Sequence, residues 1–92
     1  MTGLWVSDSC QLCGSTLWLE NHHIFGGAYR KKSEKYGFVI TLCHRQHNEP
    51  PDGVHHNRQN SNELKRMAQT EFEKTHSRDE FRQEFGKSFL ED

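Results

Sequence analysis

Six of the chain's seven histidines fall between His22 and His56, and they fall in clusters: His22 with His23, His44 with His47, and His55 with His56. Only His76 lies outside. Solvated surface histidines do not gather in this way, whereas histidines grouped with cysteines commonly mark metal sites. Three cysteines join the pattern as Cys10-x-x-Cys13 and Cys43, the last directly ahead of His44. A C-x-x-C turn lets two thiolates reach one ion from a single bend, and Cys43 is the natural third ligand. The fourth falls to a nearby histidine, His44 or His47. Thiolate ligands favour zinc. A closed four-ligand site contributes folding energy and leaves no open position for chemistry.

Such a staple matters because the chain is short of core material. It has 92 residues, of which 32% are hydrophobic, and its mean hydropathy is -1.01. That supports one domain over 1–92 with a thin core, to be completed by a metal or a partner. The odd cysteine count argues against a disulfide framework and suits a reducing cytoplasm. No apolar run reaches membrane-spanning length, and residues 1–9 lack the charged and apolar regions of a signal peptide. A soluble cytoplasmic protein is the expectation.

Hydrophobic periodicity and turn residues predict an α+β chain. A knuckle is expected at 9–15 and a strand within 16–24, broken by Gly26-Gly27. A basic loop or short helix follows over 28–37. The clearest strand is Phe38-Val39-Ile40-Thr41-Leu42, short and rich in β-branched residues. Asn48-Glu49-Pro50-Pro51-Asp52-Gly53 reads as a loop, followed by one helical turn over 54–58. Asn60 and Glu63 have capping-box spacing, and Leu64, Met67, Ala68 and Phe72 recur at helical intervals after them. Ser77 and Glu80 form a second such box, ahead of Phe81, Phe85 and a terminating Gly86. The Phe81, Phe85 and Phe89 stripe is read as packing. His76 is read as structural, a cation suited to a helix end.

Two adjacent imidazoles at a strand end, His22 and His23, suit phosphodiester hydrolysis. One can hold a divalent metal while the other, neutral near pH 7, takes a proton from water. Charge layout adds a polyanion footprint. Between Asn21 and His47 there are five bases (Arg30, Lys31, Lys32, Lys35 and Arg45) against one acid, Glu34. These five are candidate phosphate contacts. His56 is left open between phosphate contact, ligand and exposed surface.

The run His22-His23-Ile24-Phe25-Gly26-Gly27, then Arg30, the 33–40 stretch, Leu42-Cys43, His47-Asn48 and Gly53-Val54-His55, resembles a group of small phage-encoded HNH endonucleases. The Cys10/Cys13 knuckle and the Phe81-Arg82-x-x-Phe85-Gly86-Lys87 ending are similar to that group too. The resemblance implies a small ββα-metal finger with an N-terminal zinc knuckle and C-terminal helices. It implies His23 as general base and His22, His47 and His55 as ligands of a catalytic divalent ion (magnesium, manganese, nickel or zinc). A structural zinc would sit on Cys10, Cys13, Cys43 and His44, with DNA as the substrate. Phage packaging or recombination proteins and a second copy of the chain are the further partners it suggests. Two departures stand out: no Asn lies between His23 and His47 to steady the base, and Gln46 occupies the position where zinc-containing members carry a ligand. The competing reading is a non-catalytic zinc-knuckle module that binds nucleic acid or a packaging or recombination protein.

Overall fold

The computed structural model describes residues 3–50 and 53–90. It is an α+β arrangement built on a two-stranded antiparallel sheet. Strand β1 (Leu19–His23) pairs with β2 (Val39–Cys43). A short 3-10 turn (Gly27–Tyr29) and helix α1 (Arg30–Tyr36) connect them. Helix α2 (His44–Asn48) follows β2 directly, and α3 (Arg58–Phe72) and α4 (Arg78–Phe85) complete the chain.

Every residue of β2 is buried, as a continuous apolar run requires. One edge of β2 carries β1, and the N-terminal segment lies on the other through a parallel bridge from Trp5 to Ile40. The register pairs Glu20 with Leu42 and His22 with Ile40, and it pairs Leu19 with Cys43, Asn21 with Thr41 and His23 with Val39. Strand alternation therefore puts Glu20 and His22 on one face, and Cys43 and His23 on the other.

The thin supply of apolar residues is concentrated in aromatic rings. All six phenylalanines belong to one network of ring contacts, with centroids 4.4 Å apart for Phe25 and Phe85 and 4.8 Å for Phe81 and Phe85. Aromatic pairs add about 0.5–1.5 kcal/mol beyond the area they bury. Leu64, Ala68 and Phe72 supply the buried stripe of α3. His76 stacks on Phe72 at 4.3 Å and meets the edge of Tyr36, a packing role. Two buried polar side chains tie the layers together. Ser33 Oγ accepts from Phe25 N–H and donates to Phe25 O, fixing α1 to the end of β1. Gln69 Oε1 accepts from Phe89 N–H while its amide donates to Ser88 and Glu73, fixing the C-terminal segment to α3.

Several expected boundaries move. The basic segment is helical, ending at Gly37 in the left-handed region. The strand expected within 16–24 begins only at Leu19, because Trp18 turns the chain with φ 57 and its carbonyl accepts from His44 N–H. The loop expected from Asn48 is shortened by α2, which takes Asn48 as its last residue. Pro51 and Asp52 of that loop lie outside the described residues. Residues 54–56 form a turn. Helix α3 starts a turn earlier than the Asn60/Glu63 box implied, since Asn57 is the N-cap and accepts from Asn60 N–H. The second box is formed: Ser77 Oγ accepts from Glu80 N–H, and Glu80 accepts from Ser77 N–H. Gly86 caps α4 in the left-handed region. Among the described residues, no helix is long and apolar enough to cross a membrane.

Phe85 touches Phe25, Tyr29, Tyr36, Phe38, Phe72 and Phe81. Phe85→Ala should lower unfolding free energy by about 3–5 kcal/mol in denaturant titration, the range for truncating a fully packed ring.

Candidate metal centre

Three histidines converge from separate segments. His22 comes from β1, His47 from α2 and His55 from the turn after it, and their ligand nitrogens all lie within 4.8 Å of one another. The ring centroids are 4.9 Å apart for His22 and His47, 5.1 Å for His22 and His55, and 4.6 Å for His47 and His55. His47 and His55 point their Nε2 atoms at each other across 2.9 Å. Two nitrogens bound to a shared ion at ordinary bond lengths stand about 3.0–3.4 Å apart, so the pair nearly has a ligating geometry already.

Local backbone bonds explain how His55 returns to His47. Gly53 N–H donates to Glu49 O, Val54 N–H to Gln46 O, and His55 N–H to His47 O. The chain thus folds back over α2. A side chain at position 53 would meet Glu49 backbone atoms at 2.6 Å, which only glycine avoids.

Protonation favours ligation. His22 is 7% exposed. Burial, and then the neighbouring His47 and His55, push its pKa down to about 3, so its ring is neutral. Burial also lowers His55, reinforced by His47 and His56. Glu20, two residues before His22 on the same face, accepts from His47 Nδ1 at 2.7 Å and from Asn48 Nδ2 at 2.9 Å. It also accepts from His44 Nδ1 at 3.0 Å; the bonds from His44 and then His47 hold its carboxyl below the usual range. An ionised Glu20 makes His47 Nδ1 the donor and leaves Nε2 with its lone pair toward the other histidines, the common carboxylate–histidine support of a metal ligand.

On the other face, Cys10, Cys13 and Cys43 form a second group, again with ligand atoms within 4.8 Å. Cys13 and Cys43 sulfurs are 3.5 Å apart, close to the roughly 3.8 Å between thiolates on a tetrahedral zinc. The knuckle turn is closed by Cys10 N–H to Ser15 O and Gly14 N–H to Cys10 O. Burial raises the Cys10 thiol, but the backbone N–H groups of Cys43, Cys13 and Leu12 outweigh it and bring the pKa down to about 7. Both groups fit a cation by donor type and spacing.

Comparison with protein-family models, with curated proteins and with solved structures finds no match.

The remaining candidates are placed as follows. His44 does not join the sulfurs. It lines the same surface cavity as Cys13 and Cys43 but is not part of their ligand group; its Nδ1 bonds Glu20, which raises its pKa. His47, the other fourth-ligand candidate, lies with His22 and His55. His23 is outside the triad; its Nε2 lies 3.0 Å from Glu34 Oε1 of α1. His56 is exposed. Arg30, Lys31 and Lys35 are exposed on α1. Lys32 is tied to α4, donating to Glu84 O at 2.7 Å and pairing with its carboxylate at 3.5 Å. Arg45 lines the cavity beside the cysteines rather than the histidine triad. Glu20 and Glu34 carry no motif of their own in the sequence; only pairing of the strands and docking of α1 reveal them.

Glu20→Gln removes the acceptor charge behind His47 and should weaken metal binding at the triad roughly 10- to 100-fold, read by competition with a chromophoric chelator. In chelator, His22 generates acid sensitivity. Its folded pKa lies below its unfolded one, so its contribution is present above pH 6.5 and lost as pH falls toward 3. Thermal or denaturant melts should lose about 1.4 kcal/mol per pH unit across that window from this one proton, and His22→Gln should flatten the slope.

Proposed function

We propose that this chain is a metal-dependent DNA endonuclease of the His-Asn-His, ββα-metal type, hydrolysing phosphodiester bonds. The observation that carries the reading is the convergence of His22, His47 and His55 from a strand, the helix after its partner strand and the following turn, with Glu20 behind His47. Two antiparallel strands followed by a helix, with ligands on the first strand and on the helix, is the arrangement that the sequence resemblance implies.

His22, His47 and His55 would hold a divalent cation, which would supply stabilisation of the negative charge that develops in phosphodiester hydrolysis. The resemblance assigns His23 as the general base; it is the last residue of β1, so it would reach the attacking water from the strand end rather than from the face that carries His22. With Nε2 held by Glu34, its Nδ1 is left to take the proton of the attacking water. Glu34 thereby fills the steadying role for which the chain has no Asn. Cys10, Cys13 and Cys43 would hold a structural zinc, which would need a fourth ligand from outside this group. Arg30, Lys31 and Lys35 on α1, the helix that carries Glu34, contact the DNA backbone beside the cut. The expected products carry 5′-phosphate and 3′-hydroxyl ends.

Supercoiled plasmid supplied with magnesium, manganese, nickel or zinc provides the test. His23→Ala should reduce nicking by about 10²- to 10⁴-fold, the usual contribution of a general base, with metal content unchanged. Glu34→Gln should cost less. Failure of the unaltered chain to nick under any of these ions leaves the non-catalytic zinc-knuckle reading in its place.

A further inference from the structure

Beside His55 the surface opens into a groove of about 640 Å³ whose lining includes Arg58, Lys65, Lys87 and Phe89. A second hollow of about 350 Å³ shares Lys65, Lys87 and Phe89 and continues onto Phe25, Tyr29 and Phe85. Three cations thus crowd one trough that begins at a ligand of the histidine triad. Among the described residues, no ion pair neutralises Arg58, Lys65 or Lys87. Both lysine ammoniums lie over the Phe89 ring, at 5.3 Å and 5.0 Å. Phe89 in turn is fixed by its N–H bond to Gln69, so the arrangement is built rather than a chance overlap of long side chains.

The cations act on one another. Burial lowers the Lys65 pKa first, and Lys87 and Arg58 lower it further. The Lys65 charge is also felt at His22. Like charges gathered in one trough are costly unless an anion meets them. A continuous polyanion threading from the triad satisfies all three at once. The aromatic floor formed by Phe89 and the neighbouring Tyr29 suits the sugar or base between successive phosphates.

We infer that Arg58, Lys65 and Lys87 form the phosphate track for the DNA strand entering the histidine site. This inference rests on the endonuclease reading for its substrate. It adds a cationic surface that lies outside the basic segment around α1, on the opposite side of His55 in the sequence and in a half of the chain with an acidic excess.

The measurement is fluorescence anisotropy of a short labelled duplex with the whole zinc-loaded chain, over a salt series, with His23→Ala present to block cutting. Lys65→Gln with Lys87→Gln should weaken binding about tenfold per lysine near 0.1 M salt and reduce the slope of log K against log salt by about one per lysine. Lys65→Arg with Lys87→Arg should restore both. If thermal melts show that the glutamine pair is unfolded, Arg58→Gln, at an exposed position on the first turn of α3, gives the same readout alone. Unaltered affinity and slope in folded variants overturn the track, and so does a full loss from Arg30→Gln with Lys31→Gln while the groove variants bind normally. Nicking is scored separately on the chain without His23→Ala. Slope loss in the groove variants without any nicking by that chain upholds the track and removes the endonuclease reading. Nicking with unchanged KM in the glutamine pair, at unaltered slope, removes the track and retains the endonuclease reading.

Discussion

Pairing of β1 with β2 is the constraint on which both candidate metal-ligand groups depend. The register places Glu20 and His22 on one face, and brings Leu19 and Cys43 together on the other. Because side chains alternate along a strand, a slip of one residue would exchange the faces. His22 would leave His47 and His55, and Cys43 would leave Cys10 and Cys13. The register is protected by the burial of all five residues of β2 and by Thr41 Oγ1 donating to Asn21 Oδ1 across the pair. A small sheet thereby keeps a thiol cluster and an imidazole cluster apart in a chain where their residues lie close in sequence, as at Cys43 and His47.

Glu20 shows how one carboxylate organises the imidazole side. It reaches three residues of α2, namely His44, His47 and Asn48. The helix is only five residues long, too short to be stable by itself. Its anchorage is Glu20 at the front and the returning turn through Gly53 and Val54 at the back. The same contacts that hold the helix set the tautomer of His47, so stability and ligand orientation are coupled. His44 is drawn into that network and away from the sulfurs. The sequence offers no means of choosing between these fates, since His44 is adjacent to Cys43 in either case.

The aromatic core answers the shortage of apolar residues. A chain with few aliphatic side chains gathers all its phenylalanines into one cluster, and the C-terminal helices and the segment after them contribute Phe72, Phe81, Phe85 and Phe89 to it. Those helices therefore do more than extend the domain. Their packing delivers Lys65 and Lys87 to the rim of the histidine site, which the bare count of charges after position 60 conceals, because acids there such as Glu73 and Asp79 pair with Arg78 and Arg82.

The sequence by itself determined the α+β composition, the knuckle turn, the second strand, the capping box at Ser77 and the residue types able to hold metal. Each of these rests on local spacing or on the chemistry of single side chains. Only the tertiary structure decided which histidines share a centre, that His44 turns to Glu20, that Glu34 meets His23, and that Arg58, Lys65 and Lys87 converge. Ligand grouping depends on strand register and on where a five-residue helix and a tight turn are docked. Those are outcomes of long-range pairing and burial, and no spacing along the chain encodes them.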